Sequence, residues 1–307
     1  MRTTVFVAFA LSVCITGTGP RAADSPETAS STATLGRSAC QCRQCFVAET
    51  PNFRVHCCTS AKRLRELAEA CERLKARCQS TWLGDSSTTW QPRCEVVVHA
   101  TVGAYCRTLG PGSERTSGCS TIRLDKGRVA ERRLDLRSDA EGWLTETLPH
   151  ELTHVVLADR FIDRRIPAWA DEGIAMLAES PDKLQRRLNE LRSVAATGRT
   201  LGLRQLLSLE NGPTSESRAA FYGQSVTLTG LLLEQGTPRQ LIQFVAVSQR
   251  DGHDKALRDV YGIESWSVLE SDWRAFTASQ RLRKFAQHSH PELQVSETQA
   301  NVAAVAD

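Results

Sequence analysis

His150-Glu151-Leu152-Thr153-His154, with Trp169-Ala170-Asp171-Glu172-Gly173 following, is the stretch whose reading decides this chain. On a helix, positions i and i+4 lie on one face, so two imidazoles so placed can grip one Zn²⁺. Glu151 then sits beside the metal's open position. A catalytic zinc keeps three protein ligands and leaves one place for water. Glu172 is the natural third ligand. Val155-Val156-Leu157-Ala158 continues an apolar run behind the motif, as a buried metal helix requires.

The two motifs together resemble the gluzincin branch of zinc metallopeptidases, in its peptidase MA-like form. The resemblance extends over roughly 95–277. Phe221-Tyr222-Gly223-Gln224-Ser225 opens an apolar helix. Lys255-Ala256-Leu257 and Tyr261-Gly262 then lead to Leu269-Glu270 and Trp273, an order similar to the C-terminal helices of that group. The resemblance implies a secreted bacterial type, metal ligands at His150, His154 and Glu172, and a peptide or protein substrate. Its strand beside the cleft would come from 120–124 or 132–136. A Tyr or His from a later helix would steady the oxyanion, and Tyr222 stands best in order along the chain, ahead of His253. The sequence also departs from the best-known gluzincins. The His154-to-Glu172 gap is one residue shorter than in the aminopeptidase families, and no Gly-x-Met-Glu-Asn element is present. That element helps hold a free amine, so the reading is of an endopeptidase.

The expected chemistry follows from the ligands. Zinc polarises the scissile carbonyl and lowers the pKa of a water, and Glu151 moves that water's proton to the leaving amine.

The chain has 307 residues, 24% of them charged, with a net charge of +3. The balance is that of an ordinary globular protein and implies no nucleic-acid partner. Arg2 and the short apolar core Val5–Ile15 read as a secretory signal over 1–23, too short to span a membrane. A secreted or periplasmic protein is expected after its removal. Leu11-Ser12-Val13-Cys14 only faintly resembles a lipoprotein box, because Val13 is too large before the lipidated Cys.

Beyond Cys14, the cysteines are Cys40, Cys42, Cys45, Cys57, Cys58, Cys71, Cys78, Cys94, Cys106 and Cys119, all ahead of the zinc motif. An even number in an exported chain predicts disulfides that staple the N-terminal half. The rival reading is a zinc knuckle at Cys40-x-Cys42-x-x-Cys45.

The predicted architecture is α+β and zincin-like. It has a linker over 24–38, a Cys-rich α/β part over 39–137, a helical part over 138–280 carrying the metal helix, and a disordered tail over 281–307. Strands are expected at 53–56 and 95–100, with a hairpin of 120–124 and 132–136. A helix is expected over 61–80, and later ones over 181–196, 202–209, 215–235, 237–249, 252–260 and 265–279. Ser138-x-x-Glu141 reads as a capping box, Pro149 either begins the metal helix at its first turn or kinks a longer one, and Pro167 opens the segment carrying Glu172. His99 reads as a structural His, Trp169 as core, and His288 and His290 as tail residues without a role. Asp171 is a secondary candidate, because neighbouring helix positions point apart. Two other function classes fit the same sequence. One is an inactive zinc-bound peptide binder, and the other an extracellular interaction protein working through its Cys-rich half.

Overall fold

A computed structural model describes residues 4–9, 46–57, 60–85, 87–210 and 212–287 of the chain. The strands are β1 (Thr4–Phe9), β2 (Phe46–Glu49), β3 (Phe53–Cys57), β4 (Cys94–His99), β5 (Gly118–Asp125) and β6 (Arg128–Arg137). They form one mixed sheet in the order β1-β5-β6-β4-β3-β2. β3, β4 and β6 run parallel, while β5 pairs antiparallel with β6 and with β1. Val96, Val97 and Val98 at the middle of β4 are buried, as a β-branched run in a central parallel strand should be. The β5–β6 hairpin turns on Lys126 and Gly127, both at positive φ (50° and 70°). A two-residue turn of that kind matches the twist of the flanking strands.

The helices are α1 (Ala61–Trp82), α2 (Val102–Leu109), α3 (Leu148–Ala158), α4 (Ala168–Ala175), α5 (Pro181–Ala196), α6 (Leu203–Ser208), α7 (Arg218–Glu234), α8 (Pro238–Asp251), α9 (His253–Ala256), α10 (Trp266–Ala278) and α11 (Gln280–Gln287). α1 buries Leu64, Leu67, Cys71, Leu74 and Cys78 along one face, and Ser60 caps its start by accepting from the Arg63 N–H. That face lies on the sheet beside α3. Tyr105 of α2 closes the other side of the sheet, its ring edge-on to His99 at 5.5 Å.

α3 is buried at every position. It continues a π-helical turn, Trp143–Thr147. Pro149 sits where π becomes α, a place where a missing N–H is tolerated. At the other end Asp159 accepts from Trp90 Nε1 at 2.5 Å and pairs with Arg132. A carboxylate at a helix C-terminus opposes the helix dipole, and the guanidinium offsets it. α7 is buried almost all round and serves as the axle of the helical half, with α4, α5 and α10 packed about it. α4 reaches it because Gly173 has no side chain. A Cβ there would stand 2.2 Å from Thr229 Oγ1 and 2.8 Å from the Ser225 carbonyl.

Several expectations are corrected. Among the described cysteines, Cys71, Cys78, Cys94, Cys106 and Cys119 are free thiols, and no disulfide joins them. The helical repeat turns Cys71 and Cys78 into the apolar core, where they pack as small hydrophobes. Burial pushes each thiol up to about 12. Ser138 donates to the His99 carbonyl (3.3 Å) in a turn and caps no helix. Part of the expected tail, 281–287, belongs to α11, which buries Leu282 and Ala286. Of the expected signal, 4–9 forms β1. The linker, Cys14, Cys40, Cys42, Cys45, Cys58, His288 and His290 lie outside the described residues. Among the described residues, no helix is long and apolar enough to cross a membrane.

Candidate active site

α3 and α4 bring the expected ligands together. One ligand atom each from His150, His154 and Glu172 lies within 4.8 Å of the others. His150 Nε2 is 3.6 Å from Glu172 Oε2, and the two imidazole centroids are 5.0 Å apart. His150 Nε2, His154 Nε2 and Glu172 Oε2 are buried and have no hydrogen-bond partner. Buried polar atoms are almost always satisfied, so three orphans converging on one point mark a place for a cation. Two imidazoles and a carboxylate are a donor set suited to zinc.

Each imidazole is gripped from behind by a different carboxylate, one on α4 and one on the turn that follows it. Asp171 Oδ1 lies 2.7 Å from His154 Nδ1. By sequence Asp171 is only a secondary candidate, because it neighbours Glu172. The two nevertheless share the site, because an imidazole offers two opposite edges. Adjacent positions of α4, about 100° apart, reach one edge each. His150 Nδ1 lies 3.0 Å from Glu179 Oε1. This contact is an ion pair, close but not aligned as a hydrogen bond. Glu179 was missed from sequence. No helical spacing signals it, because α4 ends at Ala175 and Glu179 is the extended residue after the following turn. Glu179 is itself held by Lys183 Nζ at 3.0 Å, and Lys183 also approaches Glu146 at 3.7 Å. Ser180 bonds Glu146, tying the π turn to the start of α5.

The electrostatics follow from this frame. Burial opposes a charged His150, but the attraction of Glu172 and Glu179 outweighs it and holds the ring at about 10 in the metal-free protein. His154 moves the same way, with Asp171 overcoming burial. Glu179 is pulled down to about 2: burial resists, and the charge of Lys183 and the contact with His150 prevail. Such carboxylate partners orient metal-binding imidazoles and raise their basicity.

Glu151 points the other way, toward β5. It is wholly buried, and neither carboxylate oxygen has a hydrogen-bond partner. Burial pushes its carboxyl up. Gly118 of β5 makes room for it, since a Cβ there would stand 2.4 Å from Thr147 Cγ2 and 3.0 Å from Glu151 Cγ. A glycine inside a strand often marks such a close approach.

Tyr222 lies on α7 with 6% of its surface exposed, and the Arg187 guanidinium stands 5.1 Å over its ring. Burial, with the nearby charge of Glu172, raises its hydroxyl well above the ordinary range, so it is a neutral donor. His253 is elsewhere, against Trp266 at 5.2 Å. His99 is bound to Asp135 at 2.8 Å, and Trp169 is buried against Phe244. Both have the structural roles expected of them. No curated protein matches this chain. Residues 133–279, from within β6 to just past α10, match the family model of the Peptidase MA superfamily, and that stretch contains His150, Glu151, His154 and Glu172.

Proposed function

We propose that this protein is an exported zinc-dependent endopeptidase. The observation that carries the reading is the convergence of three unpartnered buried ligand atoms, from His150, His154 and Glu172, beside the equally unpartnered carboxylate of Glu151. The superfamily match over 133–279 supports a peptidase.

His150, His154 and Glu172 would hold the ion. When bound, zinc supplies a Lewis acid for the scissile carbonyl and a water acidic enough to be activated near neutral pH. Glu151 is the general base and proton carrier. It is not needed as a ligand, and its buried carboxyl, poised high by desolvation, accepts and returns a proton readily. A cation nearby favours its ionised form. Tyr222, neutral and close to Glu172, donates a hydrogen bond to the developing oxyanion. Asp171 and Glu179 fix the imidazole orientations.

An inactive binder would have no use for a buried, unsatisfied Glu151, which costs folding energy. Nor do the cysteines read as a separate module. Cys78 contacts Thr153 of α3 at 3.7 Å, so that half supports the metal helix. We also propose that 1–23 is a signal removed on export. That removal would take β1 with it and leave β5 as an open edge.

The test is metal content and peptide profiling of the purified protein without 1–23. We expect one zinc per chain and cleavage of internal peptide bonds, abolished by a chelator and restored by zinc. Stoichiometric zinc with no cleavage of a diverse peptide library would overturn the peptidase reading.

A further inference from the structure

We propose that the site selects a small apolar residue on the N-terminal side of the scissile bond, within two positions of it, through a pocket beside His154. This rests on the peptidase reading above and names its substrate preference.

β5 runs alongside α3 in the same direction. Gly118, near the strand's start, lies against Thr147 and Glu151 at the start of the helix. Ile122 and Leu124, further along the same strand face, line a pocket with His154 and Ala158, further along the helix. Side chains two apart on a strand share a face, which is why these positions all look at α3. The general base and the ligand set thus stand near the strand's first half, and the pocket lies beyond them.

The pocket is lined mostly by Ile122, Leu124, Ala158, Phe161 and Ile166, together with His154, Arg165 and Asp171, whose carboxylate is engaged by His154. Ile122, Ala158, Phe161 and Ile166 are each less than a tenth exposed. An apolar lining of this kind gains from burying methyl groups and charges heavily for an unpaired polar one. Its volume is about 30 Å³. A single water needs about 10–15 Å³ on the same measure, so the pocket takes the side chain of Ala or Val and not an aromatic ring.

The direction of an occupying peptide is given by the chain itself. β1 lies on the outer edge of β5 in antiparallel register, Thr4 opposite Leu124 and Phe9 opposite Cys119. An extended peptide adding to this edge by the same backbone bonds would run the same way. Its N-terminal residues would then lie at Ile122 and Leu124 by the pocket, and its C-terminal residues toward Gly118. The apolar residue therefore precedes the cleaved bond.

The test uses the zinc-loaded protein without 1–23, and two measurements. The first is cleavage profiling with a peptide library. The second is the affinity of phosphinic pseudopeptides, in which a phosphinate replaces the scissile bond and each of the two preceding residues in turn is Gly, Ala, Val, Phe, Asp or Lys. We expect Ala and Val to be preferred over Phe, Asp and Lys by roughly 10-fold or more in both. Ala158→Leu fills the pocket and should shift the preference to Gly. Phe161→Ala enlarges it and should admit Phe. Cleavage that is indifferent to both of the two residues before the bond, or selective only for residues after it, overturns the inference and leaves the peptidase reading standing. Selective pseudopeptide binding without cleavage upholds the pocket and overturns the peptidase reading. Absence of both overturns both.

Discussion

His154 and Asp171 meet at 2.7 Å, Nδ1 to Oδ1, across the junction of two helices, and this contact leaves Nε2 aimed at Glu172's side of the site. His150 is held in the same sense by Glu179. Both imidazoles are thus set for a metal from behind, by carboxylates that do not themselves reach it. Their contribution should be to affinity and orientation, which separates them from the ligands.

Asp171→Asn and Glu179→Gln should each weaken zinc by about 10–100-fold while the protein stays folded. Competition against a chelator of known affinity measures this. His150→Ala and His154→Ala should abolish stoichiometric binding under the same conditions. If the Asp171 and Glu179 variants bind zinc as tightly as the parent, the orienting role is wrong.

Glu151→Gln keeps shape and hydrogen-bonding capacity but removes the basic carboxylate. It should retain zinc and thermal stability and lose about 10²–10⁴-fold in kcat. Tyr222→Phe should cost less. Zinc lost from Glu151→Gln would show that the carboxylate is a ligand. Undiminished cleavage would place the activity elsewhere.

Zinc loading should release protons. His150 is raised from 6.5 to about 10 in the metal-free protein. A pKa raised on folding gives stability that is fully present below pH 6.5 and is lost as pH rises through 10. Zinc takes the neutral ring, so binding at about pH 7.5 must expel that proton. Calorimetry in two buffers of different ionisation enthalpy should find at least one proton released per zinc. Finding none would refute the charged ring. The metal-free protein should also lose stability between neutral pH and pH 10, with the zinc-loaded form less affected.

Gly173→Ala should destabilise the fold by about 1–3 kcal/mol, because its Cβ meets the Ser225 backbone at 2.8 Å and backbone cannot rotate away. The helix pair α4–α7 must part, and Glu172 moves with it. Denaturant unfolding and zinc affinity should therefore worsen together. An unchanged unfolding midpoint would mean that the two helices do not pack as closely as described.

Thiol titration of denatured, unreduced protein should find Cys71, Cys78, Cys94, Cys106 and Cys119 reactive. In the native state the buried Cys71 and Cys78 should react far more slowly, because burial keeps them protonated. Mass mapping that shows these five in disulfides would restore the stapled reading.

The sequence by itself determined most of the elements and the trio His150, His154 and Glu172 as the candidate ligands. The i, i+4 spacing of His150 and His154 and the apolar repeats from α1 to α10 are local, since a helix fixes which residues share a face regardless of what lies opposite. The β-branched run of β4 and the Asp125-Lys126-Gly127 turn were legible for the same reason. Partnership was decided only by tertiary structure. Asp171 looked secondary until α4 crossed α3 and gave it His154, and Glu179 was invisible until the turn after α4 swung it behind His150. The ten cysteines beyond Cys14 implied disulfides by number, but whether two sulfurs can bond depends on a few ångströms between elements, which no count contains. The closeness of Gly118 to Glu151, the pocket beside His154 and the pairing on the β5 edge likewise arise where distant segments meet. Helices and strands are set by neighbours in the chain, and a site is set by neighbours in space.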